Sequence, residues 1–471
     1  MKVTHVALRP TDASNAAGRP SLTPELLAAT GARYSRSNEG LDAILARIDP
    51  NNLDKSVDSI FRMIDYGHQS IADMAPVALF IDDVSLYLAY YVWSLCPTAG
   101  GQESSTRYIR LDETGLIPPD TLGIPAGQRD VWASGMQRAF SAYREAVAFW
   151  EGVVRRDPEA ARIPASLRDD PSDKARKTVA RMARNFAFDR ARYFLPVAAS
   201  TNLMLIMSAR AWVNLIQHLL SHPLPEARLL GEACRAELGL SAPRLLGHAK
   251  AQLSLEFGLR YEFDALRKLA AATSDHFLQP SAESHDHPPT AQLEAFAPWG
   301  TTGARLQADL EMHHTRYAYM GETLRRTAVR FGWHAVALAE IRDLNRHRTG
   351  TKYCPLVPVG FYHAADQLPP DAPDAAAYRE LGEVGRAASL SAFQALRDSG
   401  ESTYVYQTLL GTQFPFEHTT TADKFLYEAE LRTGVGAHFR YAAHLHDALE
   451  LWYTYYPETK GMVREGTAEP E

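Results

Sequence analysis

The chain has 471 residues, 46% hydrophobic and 22% charged, which gives ample apolar material for a packed core and excludes a disordered chain. Basic residues number 49 and acidic residues 56, a net charge of −7, so a general polyanion-binding role, which needs surplus cations, is excluded while a local anion pocket is not. Three cysteines, Cys96, Cys234 and Cys354, are too few and too scattered for a disulfide framework or a four-thiolate zinc site, and they fit a reducing cytoplasm.

The N-terminal stretch MKVTHVALRPTDASNAAG lacks a long apolar run followed by small residues, so no signal peptide is expected. Met74 to Cys96 is the most apolar stretch, but Asp82 and Asp83 interrupt it, at roughly 3 kcal/mol each in a bilayer, so no membrane partner is expected. Its first part, VALFIDDV from Val77 to Val84, reads as a buried strand, and the following SLYLAYYVWSL as a buried helix. Loops are expected at Arg155 to Lys174, at Gln279 to Gly300 and at His363 to Ala376. The spacing of apolar residues predicts helices over Trp333 to Asn345 and Tyr378 to Arg397.

Self-comparison points to a repeat of long period. Each half runs through a helix, a polar turn ending in a basic residue and tyrosine, a loop, a helix, Leu-Pro or Phe-Pro, a strand and a long helix. The Pro elements are FLPVAASTNLMLIMSARAW in the first half and FPFEHTTTADKFLYEAELR in the second. The division falls near residue 252, giving one unit over 1–252 and another over 253–471 with a loop-rich insert at 279–300. The fold class expected is α+β, each unit a small, mostly antiparallel sheet with long helices.

The polar turns carry the chemistry. Gly100 to Tyr108 (GGQESSTRY) combines glycines that permit close backbone approach, hydroxyl donors, Glu103 and the fork of Arg107, a composition suited to a phosphate. The alternative is a solvated loop with a Glu103–Arg107 surface pair. Asn345 to Lys352 (NRHRTGTK) places Arg346, His347, Arg348 and Lys352 at a helix end, where capping alone accounts for one or two cations. The surplus suits a phosphate, a pyrophosphate or an electron-rich ring. His313 and His314 are adjacent, and His444 and His446 are two apart, so neither is a same-face ligand pair and no metal site is expected. His285 and His287 lie in the linker. Cys96 has no local activator and reads as core. Dinucleotide-fold, P-loop and zinc-protease motifs are absent from the sequence.

These pieces resemble the flavin-dependent thymidylate synthase (ThyX) family, whose signature joins RHR-x-x-S to E-x-S-x-R-Y, with a leading His-x-Ser-x-x-Glu-His segment and a trailing R-x-x-x-H. The match is split. The first half resembles the family at Gly67-His68-Gln69-Ser70, at Glu103-Ser104-Ser105-Thr106-Arg107-Tyr108 and at Arg192-Tyr193-Phe194-Leu195-Pro196, but has Leu95-Cys96-Pro97 in place of RHR. The second half resembles it at Arg346-His347-Arg348-Thr349-Gly350-Thr351 and at Arg440-Tyr441-Ala442-Ala443-His444, but lacks the E-x-S-x-R turn. Each half keeps the part that the other has lost, as in a tandem fusion of two diverged copies. The resemblance implies that Glu103, Ser105, Arg107, Arg192 and Arg440 bind a uracil nucleotide such as deoxyuridylate, with Ser105 and Arg440 the candidates nearest the chemistry. It implies that His68, Arg346, His347, Arg348, Thr351 and His444 hold FAD. The implied reaction is C5 methylation with methylenetetrahydrofolate and NADPH as co-substrates, in a cytoplasmic homodimer that forms a pseudo-tetramer. The alternatives are a catalytically silent flavin- or nucleotide-binding protein of the same fold, or a flavoenzyme acting on another pyrimidine.

Overall fold

The β-forming run at 77–84 does become a strand, and a serine at its end starts the expected helix. Ser85 accepts a hydrogen bond from the Leu88 amide at 2.9 Å and caps the helix Leu86–Leu95, which is buried on nearly every side. These features come from a computed structural model that describes residues 1–38, 40–49, 52–61, 69–273 and 291–468. Two compact units interleave along the chain. Unit 1 comprises Met1–Ser104, Ile117–Ile124 and Ser200–Asp264, and unit 2 comprises Ser105–Leu116, Pro125–Ala199 and Ala265–Glu471. This partition does not follow a single cut at residue 252, because 125–199 joins the later residues. Each sheet nevertheless lies wholly on one side of that cut.

In unit 1, β1 (Lys2–His5), β2 (Pro76–Ser85), β3 (Gly100–Glu103) and β4 (Ser200–Ser208) form an antiparallel sheet in the order β1-β2-β4-β3. The first four residues of the expected anion turn are therefore an edge strand, since Gly100 to Glu103 pair with Leu203 to Ile206. Beside the sheet, the helix Ala209–Ser221 packs on the helix Pro225–Leu238. Glu226, fully buried, accepts from the Ser85 amide at 2.8 Å and from its hydroxyl at 2.7 Å. One carboxylate thus ties the strand-to-helix corner to the helix behind it.

In unit 2, β5 (Ala291–Phe296), β6 (Ala328–Ala337), β7 (Thr351–Tyr353) and β9 (Thr412–Thr421) repeat that arrangement in the order β5-β6-β9-β7, with β8 (Gly360–Phe361) also paired to β9. Every pairing is antiparallel. The α+β class holds, with two antiparallel sheets and long helices. The correspondence between sheets extends to an irregularity: register shifts between Ile81 and Val84 in β2, and between Trp333 and Val336 in β6. In both, the ten-residue strand runs straight into a helix.

Three expectations need correction. Trp333 to Asn345 is not one helix: β6 continues to Ala337, because Phe331, Trp333 and Val336 alternate into the sheet core, and only Leu338–Leu344 is helical. The expected loop at 279–300 contains β5, whose Leu293 is buried opposite Phe331, while 279–290 lies outside the described residues. The two Pro elements are not equivalent either. Leu195-Pro196 precedes β4, whereas Pro415 sits inside β9, opposite the irregularity of β6, where a missing amide costs no ladder bond.

Unit 2 also holds the long helices Arg129–Arg156, Asp173–Ala191 and Ala375–Gln394, the last matching the helix expected over Tyr378 to Arg397. Phe140, Tyr143, Val147 and Trp150 recur at three- to four-residue spacing and are buried. Segment 193–197 runs antiparallel to 408–411: Gly411 donates to the Tyr193 carbonyl at 2.7 Å, Leu410 to Leu195 at 2.9 Å, and Val197 to Thr408 at 3.2 Å. Cys96 and Cys234 are buried, and burial pushes the Cys96 thiol up to about 12, as expected of a core residue.

Glu226→Ala leaves two buried donors at the Ser85 corner without an acceptor. A loss of about 2–4 kcal/mol is expected, read from the urea unfolding of the full chain, and an unchanged midpoint contradicts the role given to this carboxylate.

Candidate functional site

Unit 2 gathers basic residues from distant parts of the sequence around buried carboxylates. The helix Leu338–Leu344 places Glu340 and Asp343 on one side, three residues apart, and Arg346 follows at the same spacing. Arg192, almost fully buried, donates from Nη1 to Asp343 Oδ2 at 3.1 Å and lies 3.9 Å from Glu340 Oε1. Arg346 Nη1 lies 3.8 Å from the other Asp343 oxygen. Arg432 donates from Nη2 to the Asp343 carbonyl at 2.9 Å and from Nε to His347 Nε2 at 2.7 Å. Burial raises Asp343, but Arg192, Arg346, Arg432 and Arg107 overcome it and hold the carboxyl well below its usual range.

Glu340 has the opposite balance. Burial pushes it up to about 7, although Arg192 and the Tyr193 hydroxyl, which donates to Oε1 at 2.7 Å, pull the other way. Its second oxygen and two Arg192 nitrogens, Nε and Nη2, are buried without a hydrogen-bond partner. The centre therefore has polar atoms to spare.

The first expected turn reaches this centre through Arg107. Its Nε and Nη2 grip Asp189 at 2.7 and 2.9 Å, and its Nη1 donates to the Gly436 carbonyl at 3.0 Å. The fork expected to hold a phosphate is thus closed on a carboxylate. Burial raises Asp189, and Arg107 reverses this to hold it low. Ser105 accepts from the Arg107 amide at 3.2 Å and shapes the turn. The Glu103–Arg107 surface pair considered as the alternative is replaced by the Arg107–Asp189 pair. Glu103 ends β3 and belongs to unit 1. His68 lies outside the described residues.

Much of the second turn is engaged within the fold. His347 is buried, and burial pushes it down to about 3, so the ring is neutral and accepts from Arg432. Lys352 donates to the His347 carbonyl, which ties that cation to the backbone. Gly350 has φ +66 and lies so close to the Thr419 carbonyl that any Cβ would collide with it. Arg348 and Thr351 are exposed, and Arg346 is half-buried.

Arg440 begins the helix Phe439–Tyr455. It stacks 4.0 Å over the Tyr362 ring and lies 3.2 Å from Asp366. His438 caps this helix by accepting the Arg440 amide at Nδ1, so its Nε2 donates to the Asp189 carbonyl at 3.1 Å. His444 is buried beside Trp333 with both ring nitrogens unpartnered, and burial keeps it neutral. Unit 2 therefore brings together Arg107, Arg192, Arg346, His347 and Arg440. Sequence reasoning missed Asp189, Glu340, Asp343, Asp366 and Arg432. The E-x-x-D-x-x-R spacing from Glu340 to Arg346 was the available signal for two of them. Among the described residues no cluster of three or more His, Cys, Asp or Glu could hold a metal, and no helix is long and apolar enough to cross a membrane.

Residues 21–244, a little under half of the chain, match the family described as thymidylate synthase complementing protein. Relatives include a UPF0159 protein of Thermoplasma acidophilum, 23% identical over 47% of this chain and 48% of that protein. Another is the UPF0159 protein of Chlamydia muridarum, 25% identical over 48% and 46%. The chain spans about half the length of these two curated relatives. The flavin-dependent thymidylate synthase of Clostridium tetani is 22% identical over 48% of this chain and 82% of that enzyme. A solved structure, the UMP/dUMP methylase PolB from Streptomyces cacaoi bound with 5-Br dUMP, aligns with 52% of this chain and 93% of its own at 15% identity and a TM-score of 0.32.

Asp343→Asn removes the buried charge on which Arg107, Arg192, Arg346 and Arg432 converge and leaves Arg192 paired with Glu340 alone among the described residues, at 3.9 Å. A loss of about 3–5 kcal/mol in denaturant unfolding is expected, and a loss below about 1 kcal/mol contradicts the central role of this carboxylate. Glu340 is raised from 4.5 to about 7 in the folded chain. It therefore favours folding most fully at acid pH, and that contribution is lost as pH climbs from about 4.5 to about 7. Glu340→Gln removes this slope, so the stability difference between about pH 4.5 and about pH 8 shrinks by on the order of 1–3 kcal/mol. An unchanged difference contradicts the assignment.

Proposed function

We propose that the chain is a flavin-dependent enzyme that methylates C5 of a uracil nucleotide such as deoxyuridylate, with methylenetetrahydrofolate and NADPH as co-substrates. The family match and the named Clostridium relative support this reading. One structural observation carries it: Arg107 and Arg192 from one side of residue 252, and Arg346, His347 and Arg440 from the other, meet in one ionic network of unit 2. That is the arrangement expected of a site composed from two diverged copies, 1–252 and 253–471, and the shared strand order of the two sheets supports the duplication.

Arg440 and Arg192 would orient the nucleotide, with Ser105 at the turn beside them. The donor set at the second turn fits the phosphates of FAD: Arg346, Arg348 and the Thr351 hydroxyl sit on one reversal of the chain, and none of the three is buried. His444 offers two unpartnered ring nitrogens on the same helix as Arg440. FAD would supply the hydride. The chain's own contribution is orientation and charge stabilisation of a pyrimidine made electron-rich at C5. A working homodimer in the cytoplasm completes the proposal.

A second reading, a catalytically silent binding protein of the same fold, is favoured by the carboxylates already seated on Arg107, Arg192 and Arg440. The two separate in one experiment on the purified full chain. Visible flavin bands that shift on titration with deoxyuridylate, and thymidylate formed when methylenetetrahydrofolate and NADPH are added, support the enzyme. A shift without product supports the silent protein, and a colourless protein that takes up no FAD sinks both. Arg346→Ala should release flavin, whereas Arg440→Ala should weaken deoxyuridylate about tenfold or more with flavin retained. Equal loss of both ligands in both variants contradicts the divided roles.

A further inference from the structure

The helix Asp173–Ala191 ends with two adjacent charges, Asp189 and Arg190, and only the first has a counter-ion. The Arg190 guanidinium lies 3.5 Å from the Phe186 ring centre and 4.4 Å from that of Phe439. Nη1 donates to the Phe186 carbonyl at 3.3 Å, Nε is buried with no acceptor, and no carboxylate pairs with this arginine among the described residues. Cation–ring contacts hold it in place without neutralising it. Burial lowers it to about 10, which still leaves it charged at neutral pH.

Arg190 forms part of the wall of a cavity of about 320 Å³. The wall also holds Arg107, Arg162 and Asp189, three arginines against one aspartate on a chain that is acidic as a whole, together with His446, whose ring lies 3.1 Å from Glu465. Asp189 does not oppose an incoming anion, because both its oxygens are taken by Arg107. Arg107 in turn has no Nε or Nη2 donor to offer unless it releases Asp189. The buried cation left for a ligand is Arg190, with the exposed Arg162 beside the Thr467 carbonyl on the same wall, and the rings of Phe186 and Phe439 that flank Arg190 also line the cavity.

We propose that this cavity is an oxyanion site anchored by Arg190, taking a small ligand that carries a phosphate or carboxylate on a planar ring. The anionic group would meet the unused donors of Arg190, and the ring would lie against Phe186 and Phe439. Arg190 belongs to none of the motifs on which the methylation reading depends, although Arg107 of that reading's network lines the same cavity.

Calorimetric titration of the full chain with phenyl phosphate, benzoate and inorganic phosphate tests it. Phenyl phosphate or benzoate should bind, more tightly than inorganic phosphate. Arg190→Gln should weaken that binding about tenfold or more, and Arg190→Lys should retain part of it. If Arg190→Gln does not fold, Arg162→Gln reads the same wall from an exposed position and should weaken binding less. Unchanged affinity in Arg190→Gln, or no binding of either ring compound to the wild type, overturns the proposal. Competition separates the sources: displacement of phenyl phosphate by deoxyuridylate identifies a nucleotide phosphate as the natural occupant, and failure to displace it identifies a different aromatic anion. Flavin content, read from absorbance, should be the same in Arg190→Gln and the wild type.

Discussion

One buried carboxylate organises unit 2. Asp343 sits near the C-terminal end of a short helix, where the helix dipole disfavours a negative charge, and burial disfavours it further. Four arginines reverse both effects. The reversal needs guanidiniums from separate segments: Arg107 and Arg192 from before the second sheet, Arg346 from the turn ahead of β7, and Arg432 from the helix that follows β9. Once Asp343 is charged and buried, the Arg107 turn, the 192–199 segment, the Arg-His-Arg turn and the helix Ala422–Thr433 have one arrangement that leaves few charges alone.

The same economy shapes the chemistry. A guanidinium already seated on a carboxylate is held in position without reorganisation, which favours recognition of a second anion only if the carboxylate can be exchanged or shared. Glu340 differs, because a carboxyl near neutrality can be charged or uncharged at little cost, and its free oxygen lies among unpartnered Arg192 nitrogens. The centre thus combines fixed positive groups with one adjustable acid. His347 is equally defined: as a neutral acceptor for Arg432 it adds no charge to the Arg-His-Arg turn, so that turn is less cationic than its letters suggest.

Much of the fold was legible where one physical signal dominated. The run Val77 to Val84 could be read from its β-forming residues, the helix after it from its apolar run, and the Tyr378 helix from its period. Trp333 to Asn345 misled because a short window of aromatic and aliphatic residues satisfies both the helical and the strand period, and only pairing with β9 decides between them. The Pro elements misled because proline marks a loop in one place and the gap opposite a bulge in the other. At the site, the cations of the turn Asn345 to Lys352 announced themselves as a cluster, whereas Arg432 did not. The carboxylate partners of the site's arginines were equally silent, since Asp189 and Asp366 are unremarkable in sequence and acquire meaning only from residues 82 and 74 positions away.

The closure of Arg107 on the Gly436 carbonyl, across a separation of 329 residues, also sets a timetable. During synthesis, the helices at 129–156 and 173–191 emerge long before the strands and helices of 328–455 with which they share a unit. Their apolar faces, and the Arg107 Nη1 donor, must wait through roughly half the chain's elongation for partners that are not yet made. Such high contact order slows folding and prolongs exposure of sticky surface. Unit 2 is therefore the part of this protein whose assembly depends most on the end of the chain being made.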